Sequence, residues 1–414
     1  MKLTASLLNA LLLANLGVLA QTPQLIDKAF LASLRTEASR KHPATSAANL
    51  RLAAAGGDVR SVHLWDDPMV GLAFEAGDQE TRESDGDIHA GFEQYLPKPG
   101  LFAAKLTKAE ALKRAENEKS RSTSLEIGAE AARAAIELAL ADESIQLQAT
   151  QVQWLITMAA NARQMAINPN ANAIDALRLE SELAREKQIL QAARLTRESL
   201  AQTLNLRLGR PLESQWPILQ LSNAPLPVPI AGAEIARIPR ANPKVRSLRE
   251  LAAAAHADTR ITDRNSLPQI SLAVESAQYS GGKFSNAIVG FKMSLPAFNR
   301  TSYNAQIAAS QLREQAAAKD SDAANIELAT AVLAVVAQAK TAHAQAQAYS
   351  GEVYERAYQA TQAVEGSWIN LKSTLTDLLT SNRELLSIRL AQRRFVALQY
   401  VAIEDLNLLV PPIH

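Results

Sequence analysis

The side chains with the widest chemical range in this chain are six histidines: His42, His63, His89, His256, His343 and His414. A helical zinc motif would need two of them about three to five residues apart, or a cysteine pair close by. None stand that close, and the chain has no cysteine. Thiolate ligation, disulfides and thiol catalysis are excluded, as is a lipid-modified N-terminal cysteine. There is no glycine-rich phosphate loop and no nucleophile elbow. The spacing therefore offers no catalytic group, no metal site and no cofactor site, and an enzyme is the poorest reading. His89 falls on the polar face of a strand, and the histidines are read as solvated or packing residues.

Two carboxylates are more informative because their positions correspond. Asp175 follows Asn168 as Asp377 follows Asn370, about 200 residues on. Both are placed just inside a helix that begins after a turn. There a negative charge gains ~0.3–1 kcal/mol from the positive end of the helix dipole. The elements that position these residues are duplicated too. Pro43 recurs as Pro243, Pro68 as Pro268, Phe92…Leu96-Pro97 as Phe291…Leu295-Pro296, and Leu204-Asn205-Leu206 as Leu406-Asn407-Leu408. Five landmarks in register define a repeated unit of one helix, two strands and two long helices.

In each unit the period of the apolar residues changes along the chain. From Pro43 to about Arg60 it is helical. It then becomes two, with Val70, Leu72 and Phe74 alternating with small or polar residues, followed by Ile88, Ala90 and Phe92. The second half alternates likewise through Ile270, Leu272 and Val274, then Val289, Phe291 and Met293. Strands are expected at about 69–76, 87–96, 269–278 and 286–295, each with one apolar face and able to reach the ~9–11 residues of a membrane strand. Long proline-free helices are expected from Lys105 to about Met165 and from Ala305 to about Ala363. Second helices follow at Ala173 to Leu208 and Thr374 to Leu409. The expected organisation is a signal peptide over 1–20 and a first repeat over 21–209 that opens on a polar leader. A proline-rich linker over 210–242 and a second repeat over 243–414 complete it.

Composition agrees with long, closely packed helices: hydrophobic residues make up 47% but aromatics only 5%. The net charge of +1, without long basic runs, argues against a nucleic-acid footprint. The apolar run Leu7 to Leu19 is shorter than the ~20 residues of a membrane helix, so the mature chain is expected to lack a helical anchor. Four strands cannot close a barrel, and an open edge in lipid strands backbone groups at several kcal/mol each. Several copies would have to contribute strands: two copies would fill the barrel interior and three would leave a passage. Two ordinary hairpins packed on soluble helices would show the same alternation, and a periplasmic coiled-coil scaffold the same helices.

The order of signal peptide, duplicated helix-strand-strand-helix-helix unit and Leu-Asn-Leu endings resembles the outer-membrane efflux factors, the TolC-like family. The resemblance spans essentially the whole mature chain. Supporting strings are Ala173-Ile174-Asp175-Ala176-Leu177-Arg178-Leu179-Glu180, Thr376-Asp377-Leu378-Leu379 and Leu204-Asn205-Leu206-Arg207-Leu208-Gly209-Arg210-Pro211. Asp67-Pro68-Met69 and Pro97-Lys98-Pro99-Gly100 are similar to the metal-efflux (CzcC-like) branch. The resemblance implies an α+β membrane protein in the outer membrane with a periplasmic extension. A homotrimer would form a twelve-stranded β-barrel that continues into a periplasmic α-helical barrel. The implied role is a passive conduit for heavy-metal cations or other substrate. Its implied partners are a periplasmic adaptor, an inner-membrane pump of the RND type and outer-membrane lipid. A type I protein-secretion conduit is the alternative.

The family match also gives Asp377, and with it Asp175, a place at the periplasmic entrance, where three copies would form a charged ring. The turn residues Asn168 and Asn370 are the expected adaptor-contact tips, together with Trp368 and Leu371, apolar groups at a hairpin apex with no core to fill. Packing between neighbouring hairpins is the alternative for the latter two. The family often has glycine at these turns. Asn168 and Asn370 stand nearest to those places here, asparagine being the next most tolerant of left-handed backbone.

Overall fold

The computed structural model describes residues 23–74, 88–166, 173–222, 241–278 and 284–410. The expected signal peptide, the turn containing Asn168, the strand-to-strand links and most of the linker lie outside these residues. Contact density divides the chain into two units that cut across the sequence repeat. One holds residues 47–122 and 239–328, the other residues 1–46, 123–238 and 329–414.

The first of these units carries the strands β2 (Met69–Phe74), β3 (Ile88–Tyr95), β5 (Ile270–Gln278) and β6 (Phe284–Met293), in one antiparallel sheet of order β2-β3-β5-β6. The two sequence repeats thus meet edge to edge, β3 against β5. Register aligns Val70, Phe92, Val274 and Val289 in one row across all four strands. Because side chains alternate between faces, this row shares its face with Leu72, Phe74, Leu272 and Phe291, while Glu93, Glu275 and Lys292 stand on the other.

Of the helices that enter this unit, α2 (Pro43–Ser61) and α5 (Pro243–Asn265) occupy corresponding places in the repeats. Both start at proline, whose fixed φ suits the first helical position. Their caps differ in kind. The Asn242 side chain accepts the Lys244 N–H, and His42 Nδ1 accepts the Ala44 N–H at 3.2 Å. His42 thus has a local structural task.

The second unit contains structure that the sequence reading lacked. The expected polar leader holds β1 (Gln24–Ile26) and α1 (Lys28–Lys41), and the expected linker holds β4 (Leu219–Leu221), paired in parallel with β1. Leu31, Leu34 and Ala38 follow a helical period that the polar residues between them obscure, and all three are buried. They join Ile136, Leu138, Leu204, Leu219 and Leu221 in one apolar core. Gly128 allows this close approach, since a Cβ there would lie 3.2 Å from Arg35 Cβ.

The helix α3 (Leu101–Met165) runs unbroken for 65 residues, ~100 Å at 1.5 Å per residue. Its Asp142 and Glu143 accept the Leu219 and Leu221 N–H groups of β4 at 2.9 Å each. A short sheet that would otherwise present a bare edge is thereby capped by carboxylates. Arg197, on α4 (Ala173–Leu208), pairs with Asp142 at 2.7 Å. Burial pushes the Glu143 carboxyl up from its ordinary range.

The segment after α4 is clipped in place. Gly209, at φ +64°, ends the helix, and Arg210 grips Glu37 in a two-bonded pair and lies over the Trp216 ring. The Arg210 guanidinium holds the Glu37 carboxyl down at about 2.

The long helix of the second half is not continuous, contrary to expectation. It divides at Gly351 into α6 (Arg300–Ser350) and α7 (Glu352–Ile369). Glycine costs ~1 kcal/mol relative to alanine in a helix interior, and α3 has no glycine at the corresponding place. Within this stretch an apolar window satisfies the length and composition of a membrane helix. Yet Val332, Val336, Ala339 and Ala342 are buried on one side of it, as befits a packed bundle helix. The last helix, α8 (Leu375–Leu409), follows a short turn.

Candidate functional site

Among the described residues two exposed apolar features stand out: one face of the sheet and one residue of the α7–α8 turn. On the sheet, Val70, Phe74, Val289 and Phe291 are each about three-quarters exposed. Large apolar side chains on every strand of one face exceed the scattered surface hydrophobics of a soluble monomer. The edges β2 and β6 each have one neighbour in the sheet order, so their outer backbone groups are free to pair. The opposite face is polar and internally braced: Glu93 accepts the Ser271 hydroxyl and pairs with Lys292 at 2.9 Å. His89 stands on this polar face, opposite Ala277.

At the α7–α8 turn the structure corrects two assignments. The sequence places Trp368 at the apex as a group without a core to fill. It is buried, packed with Leu155, Met158, Leu179, Leu375 and Leu378 in the second apolar cluster. Trp154, partly buried against the same cluster, donates its indole N–H to Glu365 at 3.1 Å. The left-handed position is Leu371, at φ 57°, and not Asn370, at φ −90°. Backbone bonds explain why. The Leu371 N–H reaches the Trp368 carbonyl and the Lys372 N–H reaches the Ser367 carbonyl, at 2.9 and 2.8 Å. This is a Schellman ending with leucine where glycine is usual. Asn370 instead turns its amide back onto the Gly366 carbonyl, 2.7 Å away.

Leu371 is 65% exposed, so no burial offsets a left-handed cost of ~1–2 kcal/mol for an L-residue. Leu371→Gly is expected to stabilise the turn by about 1 kcal/mol, after glycine's own entropic cost. Hydrogen exchange of the first-turn amides of α8 in the two proteins would measure this. Equal exchange would mean that the leucine side chain holds the turn in a way exposure does not reveal.

Asp377 is part of a capping box. Its carboxylate accepts the Thr374 hydroxyl and N–H, and its own N–H bonds to Thr374 Oγ1 at 3.2 Å. These bonds, the hydroxyl first, hold its carboxyl below the usual range. Asp175 lies in the first turn of α4; Asn168 lies outside the described residues. The short strings quoted for the metal-efflux branch include a structural element. Gly100, at φ +76°, leads into α3, and Lys98 donates to the Asn265 carbonyl at 2.8 Å.

Among the described residues no group of three or more His, Asp or Glu converges as a metal site would require. His256 is paired with Glu314 at 2.8 Å and His343 Nδ1 bonds with Gln399. Among the described residues, what the arrangement offers is surface and edge.

No family model and no curated protein sequence matches the chain. Solved structures do match, and over nearly its whole length. The outer membrane protein VceC of Vibrio cholerae superposes with a TM-score of 0.78 at 16% identity, covering 92% of this chain and 96% of that one. CusC, described with its transmembrane channel formation, gives 0.78 at 14%, over 92% and 91%. The MtrE outer membrane channel of Neisseria gonorrhoeae, in its open state, gives 0.69 at 18%, over 91% and 89%. At these identities the likeness establishes the fold: this chain is built as outer-membrane channel proteins are.

Proposed function

We propose that three copies of this chain close a twelve-stranded β-barrel in the outer membrane, as a TolC-like efflux factor does. The trimer is the passive exit duct of a tripartite efflux system. The observation that carries this reading is the four-stranded sheet with two unpaired edges and a bare apolar face. In lipid that face is matched and the edges must be paired, which closure by neighbouring copies achieves. Two copies would give about eight strands and an interior filled by side chains; three give about twelve and a passage. Glu93, Glu275, Lys292 and His89 then face the lumen. The helices form the periplasmic α-helical barrel, which an adaptor joins to an inner-membrane pump of the RND type.

Heavy-metal cations are the proposed cargo, on the strength of the Asp67-Pro68-Met69 and Pro97-Lys98-Pro99-Gly100 strings. Leu371 and Asn370 are the adaptor-facing groups of the second turn, with Asn168 their counterpart in the first. Trp368 is buried in the turn's apolar cluster and Leu371 is exposed, so an in-cell crosslinker belongs at position 371. Asp377 and Asp175 ring the entrance. Asp377→Asn keeps an acceptor for the Thr374 N–H while removing three charges from the ring. It should weaken cation block and alter single-channel conductance. Unchanged conductance and block would leave Asp377 with its capping role alone.

The deciding experiment is detergent extraction of the outer-membrane fraction, mass determination of the complex and planar-bilayer recording. A trimer that forms pores is expected. A soluble monomer or dimer without conductance would overturn the barrel and the reading built on it.

A further inference from the structure

Beside the break between α6 and α7 lies a cavity of about 230 Å³, lined by Leu147, Ser350, Tyr354, Arg389, Gln392 and Arg393. That is several times the ~30 Å³ share of a water molecule in the liquid. Leu147 comes from α3, while Ser350 and Tyr354 flank Gly351. The other three occupy one face of α8 at a spacing of three and four residues.

The lining is one-sided in charge. No carboxylate contributes to it, and the Ser350 hydroxyl already donates to the Gln347 carbonyl. The remaining polar groups are two guanidiniums, the Tyr354 hydroxyl and the Gln392 amide, all able to donate. Arg393 has a carboxylate in reach, Glu143 at 3.7 Å, whose other oxygen is committed to the Leu221 N–H. Arg389 is half-buried, yet it forms no hydrogen bond or ion pair among the described residues.

A partly desolvated cation without a counter-charge is costly, and a second guanidinium one turn away adds repulsion. An oxyanion between the two would relieve both. Guanidinium presents paired donors in a plane that matches carboxylate and phosphate oxygens.

We propose that the cavity at the α6–α7 break binds a small soluble oxyanion, of phosphate or carboxylate chemistry, between Arg389 and Arg393. Tyr354 and Gln392 complete its hydrogen bonds. The site is independent of the strand sheet and of the turn at Leu371, so it stands or falls apart from the channel reading.

The test is thermal unfolding of the full-length protein in detergent, titrated with inorganic phosphate against chloride at matched ionic strength. The wild-type protein should show a saturable rise in Tm with phosphate over chloride. Arg389→Gln should raise the phosphate midpoint at least tenfold, with Arg389→Lys in between. Identical phosphate and chloride curves for the wild type would overturn the proposal, and that comparison needs no variant to fold. So would a phosphate midpoint unchanged in Arg389→Gln. If the wild type ignores phosphate and Arg389→Gln lowers the oligomer mass, the arginine holds an acidic group of a second copy, and the free-anion site is likewise refuted.

Discussion

Val289→Arg should abolish pore formation while leaving the helical regions folded. Val289 lies in the cross-sheet row with Val70, Phe92 and Val274 and is 75% exposed. If that row crosses the middle of a bilayer, an arginine there costs ~2–4 kcal/mol per copy, so about 6–12 kcal/mol for three. The same residue on a soluble hairpin surface would cost little. Asn286→Arg is the matched control: three positions earlier on β6, it points to the opposite face, opposite Ala277. Fractionation and bilayer recording should find the control inserted and conducting, and Val289→Arg absent from the membrane with its helical circular dichroism retained. If Val289→Arg still inserts and conducts, the exposed apolar face does not meet lipid.

The row could be anticipated from sequence because the side-chain period in a strand is two and each strand keeps its large apolar residues on one side. Val70, Phe92, Val274 and Val289 therefore announce their face whatever they pair with. The helices were equally legible where alanine and the absence of proline extend over many turns.

Other features depend on tertiary contacts that a pattern cannot display. β1 and β4 have three residues each, too few to establish alternation, and their pairing spans nearly 200 residues of chain. The break at Gly351 depends on one glycine among helix formers. Trp368 illustrates a different limit. Its proximity to a turn suggests exposure, but even the penultimate residue of a helix can face its partner helix. Leu371 illustrates a third: the left-handed site is fixed by which carbonyls the turn must satisfy, and Asn370, the better-suited residue, is one position early.

The repeated Leu-Asn-Leu string allows a sharper separation of letters from load, since the two asparagines are identical in sequence and unequal in structure. Asn205 is fully buried, and its amide donates to the Leu212 and Ser214 carbonyls at 3.0 and 2.8 Å. Its oxygen accepts the Trp216 indole N–H at 2.7 Å. Asn407 is half-buried, and its side-chain bond is a 3.4 Å contact with Glu404.

Asn205→Leu leaves two part-buried carbonyls and a buried indole N–H without their partner. At ~1–3 kcal/mol for each unsatisfied group, less what water regains as the segment loosens, the net loss should be about 3–5 kcal/mol. Asn407→Leu should cost under about 1 kcal/mol. The loss should concentrate in the segment that Asn205 clips, which runs on into β4, whose Leu219 and Leu221 amides are held by Asp142 and Glu143. Exchange of these two amides should accelerate roughly 100-fold or more in Asn205→Leu, taking about 1.4 kcal/mol per tenfold, and stay near wild type in Asn407→Leu. Equal acceleration in both would show that the motif carries the same load in each repeat, and that the contacts of Asn205 are incidental to holding β4 in place.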